Sequence, residues 1–343
     1  MDPLTHGLAG ALAAQGLTRH RKIRPTLITG FFAALLADLD TLIRSSADPL
    51  FTLEMHRQFT HSLVFIPVGA LIATLLMFWF QRQHLSIVEV YIISLAGFAT
   101  SGLLDAFTSY GTQLLWPFSD LRIAWNLLPI IDPLVTGGLL YAFYRLFRKE
   151  RHIMGPPKGS TWAYIGLGWM GLLILIGYVQ HQRARSVAYD IARERGHIIE
   201  QMTVKPTLGN RVLWRSTYIS KDTVYADGIR LAWISDNITY DGERSPLVDP
   251  IRYTVYEGST MYLDIQRFHR LSKGYLVYHP DQPDVLGDAR YAMLPTSLSP
   301  LWGIRIDESE PGEHAQVEYF REAGEDVRRP LTRMLRGRPA EVP

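Results

Sequence analysis

At 343 residues the chain has room for two domains, and its formal net charge of +2 is too small to mark a nucleic-acid binder. It contains no cysteine, which excludes disulfides and thiolate metal sites and leaves oxygen and imidazole as the metal ligands on offer. Hydropathy is unevenly spread: nearly every long apolar run falls before about residue 180, and the remainder has the composition of an ordinary soluble sequence.

The start, Met1-Asp-Pro-Leu-Thr-His-Gly7, carries an acid and no basic region, so no cleaved signal peptide is expected. Residues 4–17 are apolar and rich in small side chains, but too short for a hydrocarbon core of ~30 Å, which takes ~20 residues. A partly inserted or protein-packed helix is expected there. A basic loop follows (Arg19, His20, Arg21, Lys22, Arg24), then an apolar run over 26–43 with Asp38-Leu-Asp40 near its end. Leu63–Phe80, eighteen residues without a charge, is the cleanest membrane segment. Ile87–Leu104 is a second, with one early acid (Glu89), and it runs directly into Asp105. The loop 106–126 is aromatic and polar, as suits headgroup depth, with Trp116 and Phe118 as interfacial anchors. Leu127–Phe147, holding Asp132-Pro133 near its start, and Trp162–Val179 complete the set; Gly166-Leu-Gly168 inside the last suits helix packing.

Lys and Arg collect in cytoplasmic loops. With one crossing per apolar run, the basic loops 19–24, 82–84 and 145–158 fall on one side. The other side receives Asp38, Asp40, His56, His61, Asp105 and Asp132, with His6 if the first short helix points its N-terminal end outward. Everything after residue 180 falls on that outer side too, although Arg183 and Arg185 sit against this orientation. Residues 181–196 have the pattern of a helical connector. Beyond residue 197, β-branched and aromatic runs (Arg211–Ser220, Thr223–Ile234, Tyr253–Tyr256, Gly274–Tyr278, Gln316–Phe320) predict a small, mostly antiparallel β domain over 197–327. Asp227-Gly228, Asp241-Gly242 and Pro280-Asp281 are its expected turns. The tail 328–343 is basic and Pro-containing, and loose order is expected of it. The fold class is thus a helical membrane domain of four to six helices over 1–180 followed by the β domain.

Ionisable groups at membrane depth cost roughly 2.5–3.5 kcal/mol each on insertion and are functional candidates by default. The stretch Glu54-Met-His-Arg-Gln-Phe-Thr-His-Ser62 carries two of them, His56 and His61. At ~100° per residue they would stand ~140° apart on a continuous helix, so one metal can take both only if His56 lies in a loop. Asp38 and Asp40 would likewise point to opposite sides of a regular helix, and can share a site only if the helix loosens or two metals flank it. Carboxylates with imidazoles suit zinc, with manganese or magnesium as alternatives, activating water toward a phosphoryl or carbonyl carbon centre. Arg57 is a candidate for binding an anionic substrate, or a lipid phosphate. His20, His84 and His152 fall in basic loops as solvated surface, and His181, His197, His269, His279 and His314 have no ligand-like spacing.

These segments together resemble the YdjM-type family of membrane-bound metal-dependent hydrolases. The carriers are Met1-Asp-Pro-Leu-Thr-His-Gly-Leu-Ala-Gly10, Asp38-Leu-Asp40, His56-Arg-Gln-Phe-Thr-His-Ser62 and Leu103-Leu-Asp-Ala-Phe-Thr-Ser-Tyr-Gly-Thr-Gln113, with Trp116-Pro-Phe-Ser119 and Ile130-Ile-Asp-Pro133. They cover the first 135 or so residues; Gly287–Pro295 and Leu301–Ile304 extend the likeness into the soluble part. The resemblance implies His6, Asp38, Asp40, His56, His61 and Asp105 as metal-site residues, and a distant kinship with zinc-dependent phospholipase C and its nuclease relatives. It also implies a histidine four residues before the Leu-Leu-Asp aspartate; this chain has Ser101, a poor ligand, in Thr100-Ser-Gly-Leu-Leu-Asp105.

The resulting expectation is a multi-pass inner-membrane hydrolase with its site at the outer, periplasmic face. A metal-activated water would attack a phosphoester or lipid-linked ester, with Asp132 as general base and membrane lipids as surroundings or substrate. A non-enzymatic scaffold with a degenerate metal site, its β domain binding a protein partner, is the alternative. A transporter relay fits less well, because Leu63–Phe80 has no ionisable group at mid-span.

Overall fold

A computed structural model describes residues 1–19, 21–149, 160–233 and 236–340. His20, most of the basic stretch 145–158 with His152, and Ile234 at the end of an expected strand lie outside those residues. The described chain divides into two compact units: Met1–Ile43 with Met55–Tyr178 and Leu208–Asn210, and Arg44–Glu54 with Val179–Thr207 and Arg211–Pro343.

The first unit is helical: α1 (Pro3–Thr18), α2 (Ile23–Leu35) continued by a 3-10 helix (Leu36–Leu42), a short α3 (Phe51–Met55) that enters it, a 3-10 turn (Phe59–His61), α4 (Ile66–Gln81), α5 (Ile87–Ala106), α6 (Pro133–Lys149) and the start of α7 (Thr161–Glu194). Among the described residues three helical stretches are long and apolar enough to cross a membrane: Ile23–Leu42, Ile87–Ala106 and Thr161–Glu194. The bent pair Phe51–His61 and Ile66–Gln81 makes a fourth if counted as one. The expected span Leu127–Phe147 is shortened, because Asp132 caps a helix that opens at Pro133 and 127–132 are not helical.

Local chemistry explains the helix ends. Ser86 accepts from the Glu89 amide and Glu89 returns a bond to the Ser86 amide at 2.7 Å, so the early acid of α5 completes a capping box. Helices α1, α2 and α5 meet backbone to backbone. A Cβ on Gly97 would stand 2.5 Å from the Gly30 carbonyl oxygen, and one on Gly10 2.7 Å from the same atom. Small residues at such crossings are how helices associate in lipid, where no hydrophobic force draws them together. Leu8, Leu12, Leu27, Leu139 and Leu146 fill the interior alongside.

The second unit holds two four-stranded antiparallel sheets: β1 (Gln201–Pro206), β2 (Leu213–Ser220), β3 (Thr223–Arg230) and β4 (Ile238–Pro246); then β5 (Leu276–His279), β6 (Gln282–Asp288), β7 (Trp302–Arg305) and β8 (Gln316–Tyr319). Ala184 and Ala188, on the C-terminal half of α7, pack against Trp214 and Ile229 of the first sheet. Helix α8 (Thr260–Leu271) lays Met261, Ile265 and Phe268 on the second sheet.

Several expectations are corrected here. Tyr253–Tyr256 is the end of a 3-10 helix rather than a strand. Asp227-Gly228 and Asp241-Gly242 lie inside β3 and β4 instead of at turns, since Arg195 neutralises Asp227 with a bidentate pair at 2.8 Å and also reaches Asp241 at 2.7 Å. Pro280-Asp281 does join β5 to β6. The tail is helical over Glu325–Leu335 (α9), because Met334 buries against Leu213 and Tyr240. Arg44–Glu54 belongs to the second unit rather than to the membrane domain. Arg267 explains this, bonding Asp48 at 2.8 Å, Glu54 at 2.7 Å and Asp264 at 2.9 Å.

Candidate metal centre

Helix α1 begins where Asp2 accepts from the Thr5 amide (2.9 Å) and hydroxyl (2.6 Å), with Pro3 at the first helical position, where its missing N–H costs nothing. That start puts His6 in the first turn, fully buried. Asp105 comes from the last turn of α5, also fully buried, with Oδ1 3.0 Å from His6 Nε2.

Asp38 and Asp40 reach the same place through a change of helix type. In α geometry they would stand ~160° apart. Over Leu36–Leu42 the chain tightens to a 3-10 helix, at three residues per turn, and the two carboxylates stand ~120° apart instead. The His61 ring fills the angle between them. Its Nδ1 lies 3.4 Å from Asp40 Oδ2, and its Nε2 3.3 Å from Asp38 Oδ1 and 3.2 Å from Asp105 Oδ2. Arg57 adopts φ +58°, a left-handed conformation uncommon outside glycine, in the turn between the histidines. Its backbone N–H donates to Asp40 Oδ2 at 2.8 Å. His56 Nδ1 is 2.9 Å from Asp40 Oδ1. The loop after α5 straps this segment down, with the Gln113 amide donating to the Arg57 carbonyl and the Leu63 amide to the Leu114 carbonyl. Gly102 makes the approach possible, since a Cβ there would lie 2.1 Å from the His61 carbonyl oxygen.

The hydrogen bonds carry a consequence for charge. Thr60 donates its single hydroxyl proton to Asp40 Oδ2 at 2.9 Å, so its oxygen accepts from His61 Nδ1, also at 2.9 Å. The lone pair of His61 Nε2 then faces carboxylate oxygens of Asp38 and Asp105. Three acceptors converge, and a cation belongs among them, either a proton on Nε2 or a metal ion. One ligand atom each from His6, Asp38 and Asp105 lies within 4.8 Å of the others. His6 Nδ1 and Asp38 Oδ2 are buried without a hydrogen-bond partner among the described residues. Imidazole and carboxylate donors without thiolate fit zinc, manganese or magnesium.

Three expected roles change on this geometry. Arg57 is buried and turned inward, its Nε 2.8 Å from Asp105 Oδ2 and its Nη1 donating to Thr108 Oγ1 at 3.2 Å. It is an internal counter-ion to Asp105, not an open hook for a substrate anion. Asp132 spends Oδ1 on the Leu134 and Val135 amides at 3.1 Å, the work of a helix cap rather than of a general base. Asp40, expected as a ligand, gives its oxygens to His56, Arg57 and Thr60 and orients the histidines. Ser101 turns away and donates to the Ala34 carbonyl at 2.7 Å, so no side chain at that position supplies a ligand. The amino group of Met1 also contacts Asp105. Thr60, Thr108 and Gly102 all stood inside quoted motifs, but none was singled out from the sequence.

A family model described as the YdjM inner membrane protein matches residues 1–184. The chain belongs to the YdjM inner membrane protein family. All four segments that build the cluster fall within the matched YdjM region. The chain is also 23% identical over 238 residues to the uncharacterized protein YfhP of Bacillus subtilis (strain 168), covering 66% of this chain and 67% of that one. No solved structure matches it.

A second group, Asp48, Asp264 and His314 in the other unit, also brings ligand atoms within 4.8 Å. Its carboxylates are already engaged: Asp264 accepts from Arg267, from the Ala315 amide and pairs with His314 at 2.8 Å, while Asp48 takes Arg267. It is an arginine-centred ion-pair network.

Proposed function

We propose that this chain is a metal-dependent hydrolase of the inner membrane, acting on a phosphoester or lipid-linked ester at the outer face. The observation that carries the proposal is the convergence of His6, Asp38, His61 and Asp105, from four separate segments, with His61 Nε2 and two carboxylates facing one point. These four would hold zinc, or manganese or magnesium in its place. A divalent ion there supplies a Lewis acid that activates water and polarises a phosphoryl or carbonyl oxygen. Asp40 fixes the His56 ring through Nδ1, which leaves Nε2 as the basic nitrogen, on a side chain 22% exposed at the mouth of the site. His56 therefore takes the proton-accepting role in place of Asp132. Arg57 offsets the charge of Asp105 and lowers the cost of gathering carboxylates at membrane depth.

Elemental analysis of the detergent-purified protein beside His61→Ala tests this. Stoichiometric zinc or manganese in the wild type, lost in the variant, is the expected result. Absence of metal from both after reconstitution would favour a second reading, a scaffold with a retired site. That reading is supported by Ser101 turning away and by Arg57 already paired to Asp105.

A further inference from the structure

Strand β1 is at the edge of its sheet and pairs with β2 in a register that sets Lys205 directly opposite Arg215. Side chains so placed share a face, and like charges there repel. Both residues are nonetheless buried, Lys205 to 7% exposure and Arg215 to 3%. An inward lysine on an edge strand deters pairing with other chains, but that does not account for the arginine opposite it. The Arg215 guanidinium donates to main-chain carbonyls, those of Ala289 at 2.8 Å, Leu294 at 3.0 Å, Pro295 at 2.9 Å and Ser297 at 2.6 Å. Among the described residues it has no carboxylate partner, and its Nε is buried without any partner. The carboxylate whose charge Lys205 feels, Asp288, is spent on Arg290 in a bidentate pair at 2.9 and 2.6 Å. Lys205 Nζ has no hydrogen-bond acceptor among the described residues and lies 3.2 Å from the Tyr291 ring centroid. Two guanidinium charges and one carboxylate thus surround an amine, and the patch is short of one negative charge.

We propose that Lys205 is a carbamylation site: its amine takes up carbon dioxide, and the resulting carbamate is held against Arg215. The Nζ lone pair attacks the carbon of carbon dioxide and an N–C bond forms. One C=O electron pair moves onto oxygen, and a proton leaves Nζ for water. No oxidant or further reactant is needed. The step requires an unprotonated amine, and burial, joined by the charges of Arg215 and Arg290, holds the Lys205 pKa well below the ordinary lysine value. The product carries the charge that the patch lacks, so an anion facing a guanidinium replaces two facing cations. Carbon dioxide is small and uncharged, which suits a side chain with so little exposure. A dissolved anion would have to shed its hydration to reach the same place. The proposal does not rest on the metal centre, which belongs to the other unit.

The test equilibrates the full chain in nanodiscs with isotope-labelled bicarbonate, fixes carbamates as their ethyl esters with triethyloxonium, and maps the labelled peptides by mass spectrometry. Samples purged of carbon dioxide hold the free amine and serve as the blank. Lys205 is expected to exceed the exposed Lys221 and Lys273 in label by on the order of tenfold or more, since each unit taken off an amine's pKa multiplies its unprotonated fraction about tenfold. The map also separates it from the α-amino group of Met1. The carbamate resonance in the carbon NMR spectrum should vanish in Lys205→Met, whose β signal in circular dichroism reports that the fold is kept. Arg215→Gln should bring the Lys205 label down toward that of Lys221 and Lys273. Label on wild-type Lys205 no greater than on those two lysines would overturn the proposal, as would a resonance that persists in Lys205→Met. That first result joined to a higher unfolding midpoint in bicarbonate would make the patch a site for a bound anion instead.

Discussion

Asp40 holds three donors at once, His56 Nδ1, the Arg57 amide and the Thr60 hydroxyl, and so shapes the site without facing its centre. Asp40→Ala would leave two buried donors, the Arg57 amide and the Thr60 hydroxyl, unpartnered at about 1–3 kcal/mol each, and would free the His56 ring. It should weaken zinc binding about 10–100-fold, the usual effect of losing an orienting carboxylate. Asp132→Ala is the matching control. It removes a cap, lowers stability by about 1 kcal/mol, and leaves metal affinity unchanged. Equilibrium dialysis against zinc with a parallel thermal melt separates the two, and an Asp40 variant that bound zinc like wild type would refute the orienting role. Sequence alone could list these aspartates as candidates but could not rank them. A carboxylate that caps a helix, one that orients a histidine and one that faces a cation have the same spacing from an apolar run. Only the hydrogen-bond partners tell them apart.

At the scale of elements, the site depends on one helix changing type and on one residue with no side chain. The spacing of Asp38 and Asp40 carried the right question, since a regular helix could not present both; the 3-10 segment is the answer, and no local signal in Leu36–Leu42 announces it. Gly102 was invisible for the opposite reason, its role being the space it leaves against the His61 carbonyl. Gly102→Ala must push the Phe59–His61 turn away from α5, at about 1–3 kcal/mol of overpacking. Zinc stoichiometry should fall with it while the helix content seen by circular dichroism stays constant. Retained zinc would mean that the turn can shift without moving His61. The membrane helices were legible from their apolar runs, and their ends less so, because Ser86 with Glu89 and Asp132 with Pro133 set boundaries through capping rather than hydropathy.

For the whole molecule, the change of character near residue 180 separated helical from β-rich sequence, but it missed chain that crosses between units. Arg44–Glu54 reads as a membrane-domain loop until Arg267, over two hundred positions later, is seen to bind it. The β-rich unit also contains a feature with a measurable pH signature. Lys205 is buried, with Nζ 3.2 Å from the Tyr291 ring centroid, a position that suits an ammonium. Burial, joined by the charges of Arg215 and Arg290, nevertheless holds its pKa well below the ordinary lysine value. Between the folded and unfolded values the unfolded chain binds more protons, so stability should rise with pH across that window and level off at the ordinary lysine pKa. Lys205→Met should raise the unfolding midpoint of the β signal near neutral pH, by on the order of 1 kcal/mol or a few degrees, and flatten its rise with pH. An unchanged pH slope would place the titration elsewhere.

The four converging donors also set an order of assembly. His6 is synthesised with the first helix, Asp38 with the second, His61 after the third and Asp105 only at the end of the fifth. Until α5 has been made, inserted and packed against α1 and α2, the chain owns fragments of a binding site and no site. On the metal-centre reading, an ion would therefore be admitted by a finished membrane domain, through the side where Asp38 and His56 are open, and not captured by a nascent chain at the ribosome. Which element would occupy it then depends on the supply on that side of the membrane and on the shape of the assembled cage.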